Sequence, residues 1–101
     1  MRTIFVLAKD MDRYHQAIQH IAPGIERFHV VRFTKRGNIY ECPKFTIRPA
    51  LHVHDVKGYK GWQLVKFGDY YENDHAAAIE KEYQIDLALR KEKIAPSVGQ
   101  D

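Results

Sequence analysis

Three rhythms of apolar and polar positions succeed one another along this chain, and the first sets the frame for the others. Thr3-Ile4-Phe5-Val6-Leu7-Ala8 is a continuous apolar run of strand length, and Lys9-Asp10-Met11-Asp12 is a polar corner that ends it. Beyond the corner, Met11, Tyr14, Ala17, Ile18 and Ile21 fall on one face of a helix, which Pro23-Gly24 stops. Asp10 is the predicted N-cap, because its carboxylate can accept an unpaired N–H of the first turn. Asp12 adds negative charge where the helix dipole is positive. A strand–corner–helix unit at the start of a short chain predicts an α/β sheet.

The second rhythm is β-branched and aromatic. Arg27-Phe28-His29-Val30-Val31-Arg32-Phe33 reads as a strand, Thr34-Lys35-Arg36-Gly37-Asn38 as a turn, and Ile39-Tyr40-Glu41-Cys42 as the returning partner. Pro43 and Pro49 bracket Lys44–Arg48, which places that segment at a sheet edge or in a loop, since proline cannot donate to a ladder. Leu51–Val56 reads as a further strand, with Leu51, Val53 and Asp55 on one side and His52 and His54 on the other. After the turn Lys57-Gly58-Tyr59-Lys60-Gly61, Trp62–Phe67 is the last predicted strand, and Gly68–Glu72 is its exit corner.

The third rhythm is helical and long, from about Asn73 to Lys93. Asn73 or Asp74 caps it, Ala76, Ile79, Tyr83 and Leu87 form its apolar stripe, and Glu80, Glu82, Asp86 and Arg90 take wetter positions. Such a helix is about 30 Å long, more than a small sheet can cover, so its last turns project or pack on another copy of the chain. The expectation is one α/β domain over residues 1–94, a small mixed sheet flanked by two main helices, with a flexible tail over 95–101. Its predicted core is Ile4, Val6, Ala17, Ile18, Val30, Val53, Leu64, Val65, Ile79 and Tyr83.

Composition adds little to that picture, and charge adds more. The 101 residues suffice for one domain, and 45% hydrophobic with 29% charged residues is ordinary for a globular protein. There is no run of membrane-spanning length and no signal-peptide pattern after Met1-Arg2, so the expected location is the cytoplasm. Cys42, the single cysteine, agrees with a reducing compartment. The net charge of +3 conceals a division: residues 27–66 carry nine bases against Glu41 and Asp55, whereas residues 67–101 carry eight acids against four bases. A division of this kind bears on partners.

Several groupings bear on chemistry. His52 and His54 are the metal-ligand candidates, yet the sequence names no third ligand, and no metal or cofactor is expected. Gly58-Tyr59-Lys60-Gly61 has the bare form of a phosphate-contacting loop, but strand-like segments flank it and a plain turn is the better account. Arg32, Lys35, Arg36, Lys60, Trp62 and Lys66, interleaved with Tyr59, Tyr70 and Tyr71, form a basic and aromatic set suited to nucleic acid. Asp69, Glu72, Asp74, Glu80, Glu82 and Asp86 form an acidic strip that can dock on a basic protein surface. No serine or cysteine lies in a nucleophile setting, so no enzymatic activity is expected.

Phe5-Val6-Leu7-Ala8 with its corner and helix, Gly58-x-x-Gly61, and Leu64-Val65-x-x-Gly68-x-x-Tyr71 before a helix together resemble a group of small Rossmann-like proteins encoded by bacteriophages. The resemblance implies the fold and carries no catalytic residues. The chain departs from it between Thr34 and Pro49, where a basic hairpin-like insertion is expected. These readings lead to a non-enzymatic interaction protein, of phage type, that binds and inhibits a bacterial host protein through the acidic helix or the basic insertion. The alternative is a nucleic-acid binder using residues 27–66. Self-association through the C-terminal helix is the expected route to any oligomer.

Overall fold

The computed structural model describes residues 2–21 and 30–94, and there it is a five-stranded mixed sheet with three helices. The strands are β1 (Arg2–Leu7), β2 (Arg32–Thr34), β3 (Ile39–Glu41), β4 (Phe45–Ala50) and β5 (Gln63–Lys66). Their order across the sheet is β2-β3-β4-β1-β5. β1 lies between β4 and β5 and is parallel to both, while β2–β3 and β3–β4 are antiparallel. The opening apolar run is therefore a central strand, as its lack of alternation requires: both of its faces are covered.

The helices are α1 (Met11–Ile21), α2 (Val53–Val56) and α3 (Ala76–Ile94), with a 3-10 turn at Tyr70–Glu72. Period two sorts the β1 side chains between two cores. Val6 and Ala8 pack with Tyr14, Ala17 and Ile18 of α1 and with Phe45, Ile47 and Cys42. Phe5 and Leu7 pack on the opposite face with Ala50, Val56, Trp62, Ala76 and Ile79. Each large apolar chain buried this way contributes roughly 1.5–3 kcal/mol before ordering costs. Asp10 caps α1 as predicted, accepting the Arg13 N–H at 2.9 Å.

The β2–β3 hairpin turns through Gly37 and Asn38, both at positive φ, as the Gly-Asn pair predicts. Tyr14 ties α1 to this hairpin: its hydroxyl proton is shared between the Asn38 carbonyl at 2.6 Å and that of Ile47 at 3.1 Å. Burial drives the Tyr14 phenol well above the ordinary tyrosine range.

Three expectations need correction. The segment bracketed by prolines is not an edge or a loop: β4 is interior, between β3 and β1. Its proline is tolerated for a geometric reason. Phe45 directs its carbonyl toward the β3 side, where Cys42 N–H donates to it, so Ile47 and Pro49 direct their backbone groups the same way. Pairing with β3 ends at Ile47, so the missing N–H of Pro49 costs no ladder bond and the contact with β1 is intact. The basic segment Thr34–Pro49 is accordingly built into the sheet through the β2–β3 hairpin and β4.

The second correction is at Leu51–Val56, which is not a strand. After a bend at His52 the chain forms the one-turn helix α2, and both Asp55 and the two histidines belong to its cap. The third is the length of the second strand, reduced to Arg32–Thr34; Arg27, Phe28 and His29 lie outside the described residues, as does the predicted tail 95–101. The final helix runs to Ile94, with Ala76 and Ile79 buried and Tyr83 and Leu87 half-buried.

Candidate functional site

In an open α/β sheet, ligands enter the crevice at the carboxyl ends of adjacent strands whose following helices lie on opposite faces. Here β1 and β4 are one such pair, since α1 follows one and α2 the other, on opposite faces. The crevice is filled by the chain itself. Asn73 Nδ2 donates to the carbonyls of Ala8 and Leu51, each at 3.0 Å, and Asn73 Oδ1 accepts the His75 N–H at 2.7 Å.

Three imidazoles stand above this plug. The His52 ring lies 3.8 Å from that of His75 and 4.7 Å from that of His54, the latter pair nearly parallel at 14°. His52 Nδ1 accepts the His54 N–H at 3.1 Å, while Asp55 Oδ2 accepts the N–H groups of Leu51 and His52. Burial, then the charges of His75 and His54, hold the His52 imidazole below the ordinary histidine range. One nitrogen of His52 is thus occupied and two rings are stacked rather than aimed at a common point. Among the described residues no three His, Cys, Asp or Glu side chains converge to hold a metal ion. Cys42 is buried and burial pushes its thiol up, which makes it a poor nucleophile.

Folding takes the acidic strip apart. Lys9 bonds Glu72 at 3.2 Å and approaches Asp69 at 4.0 Å, and Arg13 approaches Asp69 at 3.6 Å. Glu72 in turn holds the Lys9 ammonium above the ordinary lysine range. Glu80 takes Lys66 at 3.2 Å. Asp86, expected on a wet position, is 7% exposed: both of its oxygens accept the Gly61 N–H at 3.1 Å, and Arg90 bonds it at 3.0 Å. Arg90 also donates to the Trp62 carbonyl at 3.1 Å. Of the six acids, only Asp74 and Glu82 make no ion pair among the described residues.

The basic set loses two members and gains others. Trp62 is 1% exposed, packed edge-on against Phe5 at 5.1 Å and beside Tyr83, so it offers no face to a base. Lys66 is tied to Glu80 and lies over the Tyr70 ring. Arg32 remains 73% exposed with a loose contact to Glu41 at 3.8 Å. Among the described residues Lys35, Arg36, Lys44, Lys57 and Lys60 are exposed and have no carboxylate within ion-pair distance.

Arg48 is the member that sequence reasoning missed. On β4 it faces away from Phe45 and Ile47, on the sheet face that also carries Thr46, Glu41 and Arg32. Its guanidinium sits 5.4 Å from the Tyr59 ring centroid, and its Nε, like that of Arg90, is buried without a hydrogen-bond partner among the described residues. The signal was present: once Lys44–Arg48 is read as an interior strand, alternation alone puts Arg48 opposite the apolar pair.

Beside this face is a groove of about 150 Å³ between the Gly58–Trp62 segment and α3. Tyr59, Ile85 and Leu89 line it and are among the large apolar side chains left exposed. No described helix is long and apolar enough to cross a membrane. No family model, curated protein or solved structure matches this chain.

Proposed function

We propose that this chain is a nucleic-acid-binding protein that acts by contact, through Arg32, Lys35, Arg36, Arg48, Lys57 and Lys60. The supporting observation is Arg48. A half-buried guanidinium with no carboxylate partner among the described residues is costly alone, and a phosphate oxygen is an acceptor that its terminal nitrogens can take. Tyr59, 37% exposed beside it, adds an aromatic ring of the kind that unpaired bases stack on. The sequence left two charged surfaces in competition. Intramolecular pairing neutralises most of the acidic one and leaves Lys35, Arg36, Lys57 and Lys60 of the basic one without a carboxylate among the described residues, which favours a polyanion.

The test is fluorescence anisotropy with a labelled single-stranded oligonucleotide at about 50 mM and about 200 mM salt. Binding weakens steeply with salt, and Arg32→Ala, Lys35→Ala and Arg36→Ala together reduce the logarithmic salt slope by about two. Absence of binding at the lower salt overturns the reading.

One observation favours a second reading, contact with a protein. Tyr59, Ile85 and Leu89 converge from two elements on one groove, and clustered exposed apolar side chains mark interaction surfaces. The partner is a host protein, as the phage-type reading expects, or a second copy of the chain. Sedimentation of the wild type against Ile85→Glu with Leu89→Glu separates the two; a monomer in both leaves only the foreign partner.

A further inference from the structure

We infer that the β4–α2 junction is a proton-operated latch: protonation of His52 withdraws the cap of α2 and releases the following segment, Lys57–Lys60, from the sheet. The geometry fixes the tautomer. A backbone N–H can only donate, so the His54 N–H at 3.1 Å requires His52 Nδ1 to be unprotonated. The imidazolium has a proton on both nitrogens, so it cannot accept that bond. Its charge then faces His75 from the approach to α3 and His54 from α2, neither of which welcomes a cation. Asp55 is the one neighbour that favours the imidazolium, but its Oδ2 already accepts two backbone N–H groups at the same junction.

The consequence travels along a short path. α2 has four residues and depends on its cap, as so short a helix has almost no internal hydrogen bonding. Val56, its last residue, is buried in the core between the sheet and α3, and its carbonyl accepts the Tyr59 N–H at 3.3 Å. Tyr59 in turn covers Phe5 and Arg48. Opening α2 therefore lifts Tyr59 from Arg48. The sign follows from linkage: the closed state disfavours the His52 proton, so opening becomes easier as pH falls below the ordinary histidine value of about 6.5. The latch is a property of the free protein and holds whatever the basic face binds.

The experiment is backbone amide exchange of the free protein by NMR at about pH 7.5 and about pH 5.5, corrected for intrinsic exchange. Protection of the His54 to Tyr59 amides is expected to fall roughly fivefold to tenfold at the lower pH, the scale of one lost N-cap. His52→Asn keeps a side-chain acceptor and cannot titrate, so its protection should not change. Protection independent of pH in the wild type, or an unchanged pH effect in His52→Asn, overturns the proposal. Should the variant not fold, the wild-type imidazole nitrogens decide: they must titrate together with the His54 to Tyr59 amide shifts, and separate midpoints overturn it.

Discussion

Asn73 donates to the Leu51 carbonyl at 3.0 Å, and with the same nitrogen to Ala8 at 3.0 Å, so one side chain joins the carboxyl ends of β4 and β1. Both bonds are partly shielded from water, and removing the donor strands two carbonyls. Asn73→Ala is expected to cost about 2–3 kcal/mol in urea denaturation. Asn73→Asp costs more, because a carboxylate then faces two carbonyl oxygens.

Asp86 separates a structural role from a docking role. Its carboxylate holds the Gly61 N–H and Arg90, so Asp86→Ala lowers stability by about 2 kcal/mol and Asp86→Lys by more, since it sets two cations side by side. Glu82→Lys, at a half-exposed position with no ion pair among the described residues, leaves the urea midpoint nearly unchanged. Equal effects of the two lysine variants would contradict the buried position of Asp86.

Tyr14 gives an alkaline limit. Its folded pKa is raised, so the folded state keeps a phenolic proton that the unfolded chain begins to lose near pH 10. The stability this group contributes is complete below that pH and is lost progressively above it. Tyr14→Phe should cost about 1 kcal/mol at neutral pH through the lost bonds to Asn38 and Ile47. It should also flatten the decline in stability above pH 10, which denaturation at several pH values would detect.

Trp62 offers a spectroscopic check on the basic face. Packed between Phe5 and Tyr83, it should emit at short wavelength and resist quenching by iodide, and oligonucleotide bound at Arg48 should leave its emission intensity almost unchanged. Strong quenching by iodide would contradict its burial.

Much of the fold could be read from local pattern, and the exceptions have physical reasons. The β1–α1 unit, the hairpin turn at Gly37-Asn38 and the final helix follow from periodicity and turn chemistry, which act over a few residues. β4 departs from expectation because the presence of proline does not say to which side its absent N–H points, a fact set by the neighbouring strand. Leu51–Val56 alternates like a strand, but the reciprocal cap between His52 and Asp55 gives its backbone groups another arrangement.

The candidate site was legible only in part. Arg32, Lys35, Arg36 and Lys60 keep the exposure expected of them, while Trp62 and Lys66 are spent on packing and on Glu80. The acidic strip could not be judged from sequence, since Lys9, Arg13 and Lys66 reach its members from elements distant in the chain.

The pair Asp86 and Arg90 bears on a hazard common to every open sheet. β5 is the outer strand beside β1, and an outer strand presents unpaired backbone groups on which another chain can add itself. Just ahead of β5, Asp86 receives the Gly61 N–H and Arg90 supplies an N–H to the Trp62 carbonyl, so two backbone groups beside that edge are already engaged by α3. A chain adding itself there would have to displace both side chains, and loss of either should make the edge easier to extend.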